Sequence, residues 1–532
     1  MKFIRVITLL MFTVMSALSG CSGSSSSTPT TSVSGVVMAG PAVGASVTVK
    51  TTAGTVVAGP VTTAVDGSYT IAIPTSSLSA DLVFEASGGT HTDEATGTAG
   101  VAFGGLTAHA AAGTLAAGSN VSIDPSSTII QKLVKGGKTR TAAETLFSGI
   151  FGYTPDSSVK PVFAGISSAS TTAQRLAGLR AAAFSQLAKD LGIAADKQFD
   201  LINAIAADLA DGSLDGGNTV GGKTVPADIA NRFSQSLVAF QQSPNNKSKL
   251  KADQIGTPVF NKITYTDSYK VEFVPGSMAA ATGKTTFKVK LSNRSDNTPA
   301  AGKTITLKPF MYMSTKSHTT PTDPVVESST PGTYDCTVYY VMSTSMAGVS
   351  MGVWEMKVMI GTETAVFYPD VAMAMGTTAV TQLKGIDDKM MGMAGVENRT
   401  YFLFNDGIVK EGMGSTYTVR LFTATKEMMT NFPSVYAGKS LKDSTGAPWT
   451  IGTISVEVSS DKSTWTALSD SSGNGHWSIG GVTPDTAGKL YVRLFVNGEQ
   501  KTTDGKALAV DGSNGYQTYT ISSSGGMTGM TP

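Results

Sequence analysis

Most of this chain reads with a period of two. Residues 33–80 run VSGVVMAGPAVGASVTVKT and then GTVVAGPVTTAVDGSYTIAIP, apolar and polar by turns, broken by Gly, Pro and the Asp66-Gly67 turn. Such alternation places successive side chains on opposite faces of a strand, so one face is apolar and must be covered. After Lys251 the pattern returns as YKVEFV (269–274), TFKVKLS (286–292), KTITLKP (303–309), TYDCTVYYVM (333–342) and VWEMKVMI (353–360). From about residue 395 it recurs as YTVRLF (417–422), WTIGTISVEVS, HWSIGGV and KLYVRLFVN. Short strands separated by Gly- and Pro-marked turns predict antiparallel sandwiches. TFKVKL and TYTVRL hold similar places, which suggests that the last two units are divergent copies.

Only the stretch 124–250 changes period. Leu176, Leu179, Phe184, Leu187 and Leu191 recur at helical spacing behind Thr171 or Thr172 as a cap. Phe199, Ile202, Ile205 and Leu209 mark a second helix, and a third is expected over 227–241 behind Pro226. A chain of 532 residues exceeds one core. The expected division is a sandwich over 33–123, a small helical domain over 124–255, sandwiches over 256–378 and 379–521, and a disordered tail over 522–532.

The N-terminus reads as an address. Lys2 and Arg5 precede an apolar run, 6–18, too short to span a bilayer comfortably, which ends Leu18-Ser19-Gly20-Cys21. That tetrapeptide resembles the lipobox of bacterial lipoproteins. The resemblance implies that residues 1–20 are a signal peptide and that Cys21 carries lipid. The Ser/Thr-rich stretch 21–32 is then a tether giving an anchored domain reach. Ser22, rather than an aspartate, implies export to an outer membrane, on its periplasmic face or at the cell surface.

Two further resemblances concern the sandwiches. Val33-Ser34-Gly35-Val36, Gly44-Ala45-Ser46-Val47 and Asp66-Gly67-Ser68-Tyr69 resemble the carboxypeptidase-regulatory-like family, which implies a transthyretin-type sandwich acting as spacer or scaffold. Over about 265–365, the run ending PFMYMSTKSH, the strand opened by Pro331-Gly332-Thr333-Tyr334, and Gly352-Val353-Trp354 resemble the YtkA-like family, which implies copper handling. The fold class expected is therefore multidomain and mainly β: transthyretin-like and Ig-like antiparallel sandwiches with one inserted small helical domain.

Of 22 methionines, 15 lie between Met311 and Met429. Thioether sulfur and imidazole suit copper, Cu(I) above all. Met311 and Met313 share a strand face, and His318 follows, so these three are the first candidate donor set, with Met346 and Met351 as a second. If 304–313 and 333–342 are neighbouring antiparallel strands, the two sets lie at opposite ends of the sandwich. Methionine also fills irregular cores. Strand phase assigns Met356 and Cys336 to the interior and Met359 to the charged face.

Other motifs carry less. Gly217–Thr224 fits the P-loop expression, but a helix ends before it and Pro226 follows it, so an interhelical loop is expected. Gly348–Gly352 fits G-x-S-x-G, yet a strand follows where a nucleophile elbow needs a helix. Asp208, Asp211 and Asp215 miss the EF-hand alternation and read as a capped helix end. Histidines are four (His91, His109, His318 and His476), with neither C-x-x-C-H nor H-E-x-x-H. Trp449, Trp465, Trp477 and Tyr491 read either as a patch for a glycan or protein partner or, more in keeping with alternating strands, as core. A net charge of +1 with 15% charged residues provides no footprint for nucleic acid. The sum is a lipid-anchored binding protein, not an enzyme, with no nucleotide or nucleic-acid partner. The competing reading is a structural or adhesive surface lipoprotein whose methionines are packing.

Overall fold

The computed structural model describes residues 28–392, 395–427 and 431–521. Cys21, the expected signal segment and the tail from Ser522 lie outside these. The described chain is 39% strand and 17% helix, and its sheets are antiparallel, so the mainly β, multi-sandwich class holds.

The first sandwich sets the paired strands Thr30–Val36 and Ser68–Pro74 against a four-stranded sheet ordered Val56–Thr62, Ser46–Thr51, Leu82–Ser87, Leu106–Ala110. Strand Ser68–Pro74 turns Tyr69, Ile71 and Ile73 inward, as its alternation requires. At the turn before it, Gly67 is left-handed, with φ 77°, and a side chain there would meet the Val37 carbonyl at 2.5 Å. Asp66 closes the turn by accepting from the Ser68 amide at 3.0 Å.

Five α-helices follow: α1 (Pro125–Lys135), α2 (Arg140–Phe151), α3 (Thr172–Asp190), α4 (Gln198–Asp208) and α5 (Ile229–Gln242). Asp124 caps α1 by accepting from the Ser127 amide at 2.7 Å, and Thr171 caps α3. One continuous apolar cluster runs from Val33 in the first sandwich through Phe147, Phe184 and Phe233 in the helices. No seam divides that core at residue 124. The P-loop match folds as a hairpin, Thr219–Val220 against Lys223–Thr224, with Gly221 and Gly222 at its turn. No helix begins behind Lys223 to receive a phosphate. Asp208 and Asp211 accept the amides of Gly216 and Ser213, each at 2.8 Å.

The second sandwich packs two sheets. One is ordered Ile263–Tyr265, Tyr269–Pro275, Gly283–Asn293, Thr333–Tyr340, Val326–Glu327. The other is ordered His318–Thr319, Ile305–Tyr312, Val353–Ile360, Glu363–Phe367. Its core holds Met311, Met356, Cys336 and Trp354. The outer face of the second sheet is covered too: Val353 and Tyr368 join the helical core. That is why Glu355, on a face the alternation marks as charged, is only 6% exposed. It accepts from the hydroxyls of Tyr312 at 3.1 Å and Tyr368 at 3.2 Å.

The third sandwich sets Val380–Gly392, Gly395–Lys410, Tyr417–Thr425 and His476–Val482 against Thr466–Ala467, Ile454–Ser459, Lys489–Val496 and Glu499–Gln500, with Gln517–Thr520 also pairing Lys489–Val496. A separate aromatic core joins it to the second: Tyr339 packs with Phe402, Phe404, Phe422 and Phe432.

Candidate metal centre at the methionine-rich end of the second sandwich

Strand Ile305–Tyr312 turns its odd residues inward, so Met311 is fully buried and Met313, just beyond the strand, is half-buried. Two neighbours set what Met311 meets. Val353–Ile360 pairs it with Trp354 on one side, and His318–Thr319 pairs it with His318 on the other. Opposed residues in an antiparallel ladder share a face. Trp354, Met311 and His318 therefore form a row across three strands. The rings of His318 and Trp354 lie 5.6 Å apart at 79°. Tyr340 comes from the facing sheet to 5.0 Å from Trp354, whose Nε1 donates to the Met342 carbonyl at 3.0 Å.

The pairing of 304–313 with 333–342 that would separate the two sets does not form. Strand 333–340 pairs with Gly283–Asn293 in the other sheet, while Ile305–Tyr312 pairs with Val353–Ile360, matching Tyr312 to Val353. The start of one strand thus meets the end of the other, and Met351 lies at the same end as Met311, Met313 and His318. Gly352 makes the approach possible. Its φ is 154°, and a side chain there would strike the Tyr312 carbonyl at 2.2 Å and Met313 Cγ at 3.1 Å. Met313, Met342 and Met351 all pack against the second core. Met346 is not brought in. It lies 47% exposed on the hairpin whose turn is Ala347-Gly348, paired with exposed Val349.

His318 is 8% exposed, and burial holds its pKa below the ordinary value, with Lys426 adding to the effect against the Thr319 hydrogen bond. Its Nδ1 lies 2.8 Å from the Thr319 carbonyl. A neutral ring donating from Nδ1 leaves Nε2 with its lone pair, the tautomer that suits a metal ligand. Cys336 offers nothing comparable, since burial pushes its thiol up to about 12. Among the described residues no group of three or more His, Cys, Asp or Glu is placed to hold a metal. A centre here would use thioether sulfur from Met313 and Met351 together with His318, while Met342 packs on the same core. Met311 is wholly buried in the core.

The sequence reading missed a second polar cluster, at the joint between the second and third sandwiches. His476 Nδ1 lies 2.9 Å from Asp406 Oδ2, and its Nε2 3.1 Å from Asp323 Oδ1. The Tyr339 hydroxyl donates to Asp406 at 2.8 Å and Asp323 at 3.1 Å, and Lys284 Nζ lies 2.7 Å from Asp406. Burial opposes charge on His476, but the two carboxylates outweigh it and raise its pKa to about 9. Burial likewise opposes charge on Asp406, and His476, Lys284 and Tyr339 reverse that, lowering it to about 2. No sequence spacing announces such a site, because Asp323 and His476 lie 153 residues apart.

The four aromatic residues singled out in the last sandwich do not form one patch. Trp477 is core, and Trp449 packs against that core under Arg399. Trp465 and Tyr491 lie with Tyr516 in a separate cluster, ring centroids 6.3 and 5.4 Å from it.

No family model matches the chain, and no curated protein matches it. Among solved structures it is similar to Yersinia pseudotuberculosis InvD, at 14% identity and TM-score 0.15, covering 43% of this chain and 53% of that one. It thus spans about half the length of that structure. It is also similar to domains 5–6 of the S-layer protein SbsC, at 14% identity and TM-score 0.15, covering 50% and 99%. A chimeric titin Z1Z2 follows at 12% identity and TM-score 0.12, covering 48% and 95%. Likeness at this level does not reach function.

Proposed function

We propose that this chain is a lipid-anchored cell-envelope protein whose folded units serve as a continuous stalk. The observation that carries this reading is that both joints after the first core are packed rather than hinged. Val353 and Tyr368 of the second sandwich belong to the helical core, and Asn231 of α5 donates to the Val366 carbonyl at 2.8 Å. Tyr339 stacks on Phe422 of the third sandwich at 4.3 Å, inside the ring of charges around His476. Interfaces cored in this way suppress the relative motion that is otherwise the default between domains. Limited proteolysis of the full chain tests it. Wild type should resist cleavage at the 368–380 connection, and Tyr339→Ala should expose it. Equal cleavage of the two proteins would sink the reading.

A second reading rests on the end of the second sandwich that holds His318, Met313 and Met351. We infer that the same unit takes a soft Cu(I)-type ion through His318 Nε2 and the sulfurs of Met313 and Met351. Leucine preserves volume while removing the donor. Cu(I) titration of the full chain should weaken at least about tenfold in Met313→Leu/Met351→Leu if each sulfur holds even a modest share of the metal. Unchanged affinity would end that reading.

A further inference from the structure

Inside the third sandwich a lysine is buried against an aspartate. Lys501 is 1% exposed and Asp388 8%. Lys501 Nζ lies 3.5 Å from Asp388 Oδ2 and 2.8 Å from Glu499 Oε1. Arg399, wholly buried, donates from Nε to Asp388 Oδ1 at 3.0 Å. The Tyr401 hydroxyl donates to Asp388 Oδ2. Glu499 is itself held by the amides of Ile386 at 2.7 Å and Asp387 at 2.9 Å.

The backbone is arranged to make this meeting. The ladder between Val380–Gly392 and Gly395–Lys410 skips from Lys384 to Lys389, a bulge that turns Asp388 into the sandwich. Gly385 permits it, since a side chain there would lie 2.7 Å from Asp388 Cβ. Lys501 follows the Glu499–Gln500 strand of the opposite sheet. It is fixed by reciprocal bonds between Lys384 and Thr502, at 2.6 and 2.9 Å. Lysine is almost never this buried, and holding such a charge pair out of water carries a desolvation penalty.

We propose that Lys501 and Asp388 condense into an intramolecular isopeptide bond, with Glu499 as the proton acceptor and donor. Lys501 Nζ passes a proton to Glu499, and the freed lone pair attacks Asp388 Cγ. Arg399 holds the charge that develops on Oδ1, as a fixed donor in a water-poor site does. The proton taken by Glu499, and the one the nitrogen loses after attack, both end on Oδ2, to which the Tyr401 hydroxyl also donates. The C–N bond forms, the C–Oδ2 bond breaks, and water leaves. The starting carboxylate and ammonium already hold every atom and proton of the amide and the water, so no co-reactant is needed. Contact between the two groups replaces the bimolecular encounter, and burial then shields the amide from hydrolysis. The product joins the strand by which the chain enters the third sandwich to the opposite sheet, and two buried charges disappear. This inference stands on the third sandwich alone and does not need the stalk reading.

A tryptic map of the full-length protein decides it. Condensation blocks cleavage after Lys501 and joins peptide 385–389 to peptide 494–506, the branched product being lighter by one water than its two parts. Wild type should yield that product. Lys501→Met and Asp388→Ala should yield none, and Glu499→Gln should slow its accumulation by about a hundredfold or more, as loss of a positioned proton acceptor does. Full recovery of the linear peptides 385–389 and 494–501 from folded wild type after prolonged incubation would overturn the proposal, whatever the variants do.

Discussion

Met311 has Trp354 on one side and His318 on the other, with no exposed surface. If its sulfur works there as a packing atom, the residue should behave as core. Met311→Leu should cost less than about 1.5 kcal/mol in chemical denaturation, and Met311→Ala about 2–5 kcal/mol. A loss for leucine well above that figure with Cu(I) present, and not without it, would return the sulfur to a ligand's role. Glu94 makes a different case at the same scale. It is 2% exposed in the loop that packs the first sandwich on α3, and neither oxygen completes a hydrogen bond. Burial raises its pKa to about 8, with the nearby amides of Gly40 and Ala164 offsetting only part of that. A raised carboxyl favours folding while protonated, fully below its unfolded value of 4.5, and the benefit is lost as pH rises through 8. Glu94→Gln should therefore gain stability relative to wild type between pH 4.5 and 8, read as melting temperature against pH. A constant offset across that range would refute it. Nothing in HTDEATGT reveals this burial, because the loop is mostly polar and what covers it comes from distant stretches, Gly40, Ala164 and Ser185 of α3 among them.

Strand phase was legible at the scale of the element, and strand partnership was not. Alternation in VWEMKVMI correctly separated Trp354 and Met356 from Glu355 and Lys357. It could not choose which strand lies beside 305–312, since any apolar-faced neighbour satisfies the period. Register then decided the candidate site, moving Met351 from the far end to the near one. The joint around His476 is likewise a product of elements meeting, and it carries a pH signature. Asp406, lowered to about 2, supports the joint fully above its unfolded value near 3.8 and loses that support as pH falls through 2. His476, raised to about 9, supports it fully below 6.5 and fails as pH rises through 9. The joint should therefore be firmest between about pH 4 and 6.5. Wild type should exceed His476→Gln in thermal stability most in that window, and the gap should close near pH 10. A gap that widens on the alkaline side would contradict the assignment.

For the whole molecule, the lipobox resemblance makes a plain prediction. The wild-type chain should partition with membranes, and Cys21→Ala should release it to the soluble fraction, scored by immunoblot of fractionated cells. Retention of the variant would remove the anchor reading. Among the described residues no helix is long and apolar enough to cross a membrane. The units nevertheless share apolar core. The apolar cluster that begins at Val33 passes through the helices and takes in Val353 and Tyr368 of the second sandwich. Composition shifts mark where the period changes, and for that reason they cannot report a core shared across the change.

What the sequence determined by itself was the kind of element in each stretch and the face each strand would bury. Both follow from local period and turn chemistry. Tertiary structure alone decided the partners. It set Met351 at the same end of the sandwich as Met313, set Asp323 against His476, and laid Lys501 on Asp388, 113 residues away by numbering. Those meetings depend on sheet order, a bulge at Gly385 and a glycine at 352. Pairing energy is nearly the same for many registers until a covered face and a packed neighbour select one.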